Sequence, residues 1–134
     1  MNRTKNLPAT SRAPRRSPPP LVRIERIQGG VPSFGSPGLK DETWRKQLQA
    51  AFGSVSDDFL QTAFHHLTFA ACLPGQGPSQ VALNAAVSIV AAAAPKNEVQ
   101  AALALQGASL HMVMMAVLNR IGGCLLYTSD AADE

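Results

Sequence analysis

The sequence predicts an all-α protein, a small helical hairpin or bundle of about four helices behind a disordered N-terminal arm. Three observations carry that prediction. From Asp41 onward, apolar residues recur at three- and four-residue spacing, the signature of helices with a buried face. The segments showing it are separated by Gly53, by Pro74-Gly75-Gln76-Gly77-Pro78 and by Pro95, residues that interrupt helices. The first 39 residues are instead proline-rich and basic, with too little apolar content for a core. The expected organisation is an arm over residues 1–39, a C-terminally truncated helical domain over 40–123, and an unrelated tail over 124–134.

Within the arm, Leu21-Val22-Arg23-Ile24-Glu25-Arg26-Ile27 alternates apolar and charged residues like a short strand. A strand without a partner is not stable, so this stretch is expected to be extended linker. A first helix is expected over 41–52, with Trp44, Leu48, Ala51 and Phe52 on its inner face and Gly53 ending it. Ser56 is the expected N-cap of the second helix, and Asp57 and Asp58 sit in its first turn, where the helix dipole favours negative charge. Phe59, Leu60, Ala63, Phe64, Leu67 and Ala71 form its apolar stripe, and residues 74–78 form a loop.

The densest apolar pattern runs over 79–121, read as two helices joined by Ala94-Pro95-Lys96-Asn97. Ser79 is the expected cap of the first, whose gaps are filled by alanine, the strongest helix former. Pro95 stops it, and Asn97 with Gln100 offers a capping box for the second. In that last helix Val99, Leu103, Leu110, Met114, Val117 and Ile121 share one stripe, while Ala101, Ala108 and Met112 lie opposite. No Asp, Glu, Lys or Arg occurs between Glu98 and Arg120. A helix apolar on more than one face needs more than one burial partner, either the preceding helices or another subunit. The candidate helix–helix contact is Leu103, Gln106, Leu110, His111, Met114 and Val117, with Gln106 and His111 as polar groups that fix register. A homo-oligomer is the expected partner state.

Residues 124–134, Cys-Leu-Leu-Tyr-Thr-Ser-Asp-Ala-Ala-Asp-Glu, resemble the translation of a transposase-based sequencing adapter and are excluded from the expected fold. Without Asp130, Asp133 and Glu134 the formal charge rises from +3 to +6. Residues 1–26 carry that +6 alone, while the basic and acidic residues of 39–123 cancel. Cys72 is then the single cysteine, which excludes a disulfide framework and points to a reducing, cytoplasmic compartment. The N-terminus has no apolar run of the secretory kind. Residues 99–118 are long enough to span a bilayer, but Gln100, Gln106, His111 and Asn119 would each be costly in lipid, so no membrane partner is expected.

Little in the chain suggests chemistry. His65, His66 and Cys72, with His111 from elsewhere, are the only metal-ligand candidates, yet adjacent histidines on a helix point about 100° apart and a structural zinc site wants four converging ligands. One histidine is therefore expected exposed, the other at the core edge, and Cys72 as a small buried residue. No nucleophile elbow, phosphate-binding loop or dinucleotide fingerprint is present. The reading is of a non-enzymatic protein with no metal and no cofactor. Arg12, Arg15, Arg16, Arg23 and Arg26 are candidate phosphate contacts for a nucleic acid, an electrostatic attraction without base readout.

Residues 95–106, Pro-Lys-Asn-Glu-Val-Gln-Ala-Ala-Leu-Ala-Leu-Gln, followed by His111, Met115 and Arg120, resemble a family of small uncharacterised bacterial proteins. Their pattern is Pro-basic-Asp-Glu-Val-Glu-Ala-Met-Leu-Ala-Ala-Gln, with His, Met and Arg at the same offsets. The likeness covers about residues 55–121. Asn97, Ala102, Gly107 and Asn119 depart from it, which weakens capping and packing. The resemblance implies a helical fold and, beyond Gly123, a further basic amphipathic helix and a short strand-like tail; it implies no activity.

Overall fold

The computed structural model describes residues 18–29, 31–73 and 77–130. The chain is all-α: the described residues form a small bundle of four helices with two short β-hairpins attached. In order these are β1 (Arg23–Gln28), β2 (Val31–Gly35), α1 (Asp41–Phe52), α2 (Asp57–Ala70), β3 (Cys72–Leu73), β4 (Gly77–Pro78), α3 (Gln80–Ala93) and α4 (Glu98–Asp130). Both β1–β2 and β3–β4 are antiparallel two-stranded pairs.

The helix ends follow the capping chemistry of the sequence. Ser56 Oγ accepts from the Phe59 amide at 3.2 Å, and Ser79 Oγ from the Ala82 amide at 3.3 Å. At α4, Asn97 Oδ1 accepts from the Gln100 amide at 3.0 Å while Gln100 Oε1 accepts from the Lys96 amide at 2.9 Å. The box therefore closes one residue earlier than the usual pattern, on Lys96 rather than Asn97. Gly53 ends α1 in the left-handed region, φ +60°, as expected. Ala94 ends α3 in the same region, φ +48°, a conformation that disfavours a side chain.

Phe52, Leu67, Leu83, Val87 and Val90 are fully enclosed at the centre, so α1, α2 and α3 each contribute to one core. Ala101, Leu105 and Ala108 close it from α4. A hydrogen bond joins the two ends of the helical sequence: Ser54 Oγ, buried in the α1–α2 turn, donates to Glu98 Oε1 at 2.9 Å. It also accepts from the Ser56 amide at 3.1 Å.

The second half of the expected arm does not behave as linker. Residues 23–28 pair with 31–35, from Arg23 opposite Gly35 to Gln28 opposite Val31, with a bulge at Glu25. The strand thus has a partner, Val31–Gly35, whose strand pattern is hidden in the sequence by Pro32 and the glycines. The segment before it is held by side chains from two helices. The Val22 amide donates to Asn84 Oδ1 and the Ile24 amide to Gln80 Oε1, each at 2.8 Å. Gln80 Nε2 donates back to the Val22 carbonyl, and Trp44 Nε1 donates to the Leu21 carbonyl at 2.8 Å. Val22 itself is 1% exposed and joins the core. Residues 1–17, the rest of the expected arm, lie outside the described residues. Residues 77–78 also pair with 72–73, where a plain loop was expected.

Two substitutions at the helix ends test these backbone assignments. Gly53→Ala adds a Cβ that would fall 2.1 Å from the Pro95 carbonyl oxygen, at a positive φ. It should cost more than about 2 kcal/mol in urea unfolding, since backbone strain and a backbone clash combine. Ala94→Gly should raise stability by about 1 kcal/mol, because it relieves a left-handed alanine.

Candidate functional site: the outward face of α4

With 33 residues, α4 rises about 50 Å, against about 21 Å for the 14-residue α2 and α3. It therefore overruns the bundle, and of the described side chains from Val113 to Gly122 all are exposed except the half-buried Ala116. Even over the first half, the bundle covers only one side. Ala101, Leu105, Ala108 and Met112 lie within an arc of about 60° at 100° per residue, and this arc faces α2 and α3. Small residues permit that close approach, which is why the alanine side enters the core in preference to the side bearing leucine and valine.

The stripe expected to make the helix–helix contact consequently points away from the bundle. Leu103, Leu110, Met114 and Val117 are 62%, 61%, 53% and 50% exposed, and Gln106 is exposed among them. Val99 and Ile121 extend the same surface at its two ends, and Val113 lies within it. His111 is also exposed, but at about 100° per residue it projects off this side, roughly 100° from Leu110. It therefore does not join the stripe with which the sequence pattern groups it. Periodicity locates both stripes and does not say which one the bundle takes.

The other candidates are not gathered. His65 is half-buried at the core edge, its ring edge-on to Phe34 with centroids 5.8 Å apart, and its buried Nε2 has no hydrogen-bond partner. His66 is exposed. Cys72, expected as a buried residue on the α2 face with His65, is exposed instead. The helix ends at Ala70, Ala71 takes the buried position, and Cys72 begins β3, where its thiol donates to the Thr68 carbonyl at 3.4 Å. Among the described residues no three of His, Cys, Asp and Glu are grouped to hold a metal ion. Of the candidate phosphate contacts, Arg23 is exposed at the start of β1. Arg12, Arg15, Arg16 and the Arg26 side chain lie outside the described residues.

A cleft of about 900 Å³ runs between β2 and the α1–α2 pair, lined by Glu25, Phe34, Trp44, Arg45, Asp57 and Phe64 among others. Its rim pair, Arg45 Nη1 to Asp57 Oδ2 at 3.1 Å, is about 60% exposed on each side and contributes little to stability. A second cleft, about 950 Å³ and mostly apolar, separates Pro18, Pro19 and Leu21 from Ala91 and Ala94. The outward face of α4 is thus the most prominent uncommitted feature of the described surface. No protein-family model, no curated protein and no solved structure matches this chain.

The two sides of α4 should respond oppositely to substitution. Ala108→Leu inserts bulk into the closed side and should cost about 1–3 kcal/mol in urea unfolding. Leu110→Ala on the open side should change the stability of the dilute monomer by less than about 0.5 kcal/mol.

Proposed function

We propose that this chain is a non-enzymatic helical interaction module that associates with copies of itself through the outward face of α4. The observation that supports it is the exposure of seven large apolar side chains on that face, Val99, Leu103, Leu110, Val113, Met114, Val117 and Ile121, each 48–72% exposed. A continuous exposed apolar stripe of this kind marks an interaction surface. The face carries no Asp, Glu, Lys or Arg before Arg120, so two copies meet without repulsion or desolvated charge. A lipid bilayer is the competing occupant. An 18-residue window within Glu98–Gly122 reaches a mean hydropathy of 1.7, and only 17% of that window is buried. Against it, Gln106 interrupts the outward side, Gln100 and His111 are exposed beside it, and the inner side is already committed to the bundle. Residues 40–123 hold a single cysteine, Cys72, which suits a reducing compartment, and the cytoplasm is the proposed location.

Light scattering after size exclusion is the test. The full chain should show at least twice its 14.1 kDa mass. The double variant Leu103→Lys, Leu110→Lys should fall to the monomer mass while keeping its helical circular dichroism, because both positions are exposed in the single chain. A strict monomer across the micromolar range overturns the proposal. So does flotation of the wild-type chain with phosphatidylcholine vesicles in place of self-association.

A further inference from the structure

The open side of α4 has a regular spacing that its packed side obscures in the sequence. Val99, Leu103, Gln106, Leu110, Val113 and Val117 follow one another at four, three, four, three and four residues. That is a heptad seam, the period by which two helices supercoil with interlocking side chains. All six lie within about 80° of helix circumference at 100° per residue, and all six are exposed. The bundle sits on the opposite side of the rod, through Ala101, Leu105 and Ala108, and leaves the seam clear for a second helix. The seam's flanks are Gln100, Gly107 and Met114 on one edge and Ala102, Ser109 and Ala116 on the other. They carry no charge, so they set no orientation.

Orientation falls instead to Gln106, the only polar residue among the six. Its amide has both donors and an acceptor, and it is complementary to an identical amide. When two copies of α4 run parallel and in register, each Gln106 lies opposite its own counterpart and the two amides can bond. When they run antiparallel with all six layers overlapped, Gln106 lies opposite Leu110 and Leu103 opposite Val113. The amide would then be buried without a partner, which is unfavourable. The geometry points to a parallel, in-register coiled coil between α4 of two copies, spanning residues 99–117, with Gln106 as the layer that fixes register. A single polar core residue is the best-attested device for this purpose. The inference rests on the self-association reading above and specifies its partner surface and direction.

Disulfide trapping separates the two claims. In a full chain carrying Cys72→Ser and Cys124→Ser, a lone Leu103→Cys should cross-link to itself on mild oxidation. A mixture of size-tagged Leu103→Cys and Val113→Cys chains should give only the two homodimers. Adding Gln106→Leu should release the register, so that the mixed 103–113 product appears while the light-scattering mass stays above the monomer. Efficient mixed cross-links in the Gln106 chain, with no Leu103→Cys homodimer, overturn the parallel arrangement and leave self-association standing. An unchanged cross-linking pattern in Gln106→Leu overturns the assignment of Gln106 as the register-fixing layer. A monomer mass without oxidation overturns both readings. Circular dichroism of each variant checks that the helices persist.

Discussion

The closure of α4 on the bundle through alanine is the constraint on which the rest of the molecule depends. Ala101 and Ala108 are fully enclosed, and their lack of bulk lets the long helix approach α2 and α3 closely enough to cap a core built of Phe52, Leu67, Leu83, Val87 and Val90. A rod can present only one side to the same neighbours. Committing the alanine side leaves the side bearing Val99, Leu103, Leu110 and Val117 uncovered. The apolar surface that motivates self-association is therefore a direct consequence of how the core is closed, and does not depend on any separate feature of the chain.

A second set of contacts gives the small domain a larger core than four helices of this length would provide. The extended segment Leu21-Val22-Arg23-Ile24 is held almost entirely through its backbone. Asn84, Gln80 and Trp44 satisfy two amides and two carbonyls, and Val22 fills the gap between helices. Because unpaired backbone groups are costly when buried, these bonds let the start of the β1–β2 pair lie directly on helices. Phe34 of the partner strand then packs on Phe64 with ring centroids 5.4 Å apart, and extends the core over α2. Ser54, bonded to Glu98, ties the α1–α2 turn to the start of α4.

Much of this is legible in the residues. Ser56 and Ser79 announce helix starts and Gly53 a helix end, since these residues solve local hydrogen-bonding and conformational problems wherever they fall. Asn97 with Gln100 marks the start of α4 in the same way, displaced by one amide. The stripe of α2 is legible from Phe59 to Ala71, because α2 has one main buried side; Thr68 joins that side by donating its hydroxyl to the Phe64 carbonyl within the helix. Features that depend on distant partners are not legible. The strand at Arg23–Gln28 looks like linker because its partner contains Pro32 and is flanked by glycine, and because its anchors Gln80 and Asn84 lie more than fifty residues away. Cys72 looks like part of the α2 face because nothing local announces that the helix stops at Ala70.

Taken alone, the sequence determined the helices, their caps, the breaks between them and the presence of two apolar stripes on α4, because each depends on contacts within a few residues. Only the tertiary structure decided which stripe enters the core, that residues 21–24 dock on α1 and α3 while β2 sets Phe34 on α2, and that Cys72 faces outward. Those outcomes turn on close approach between elements far apart in the chain, where the fit of small side chains and the satisfaction of particular backbone groups outweigh hydrophobicity summed along one helix.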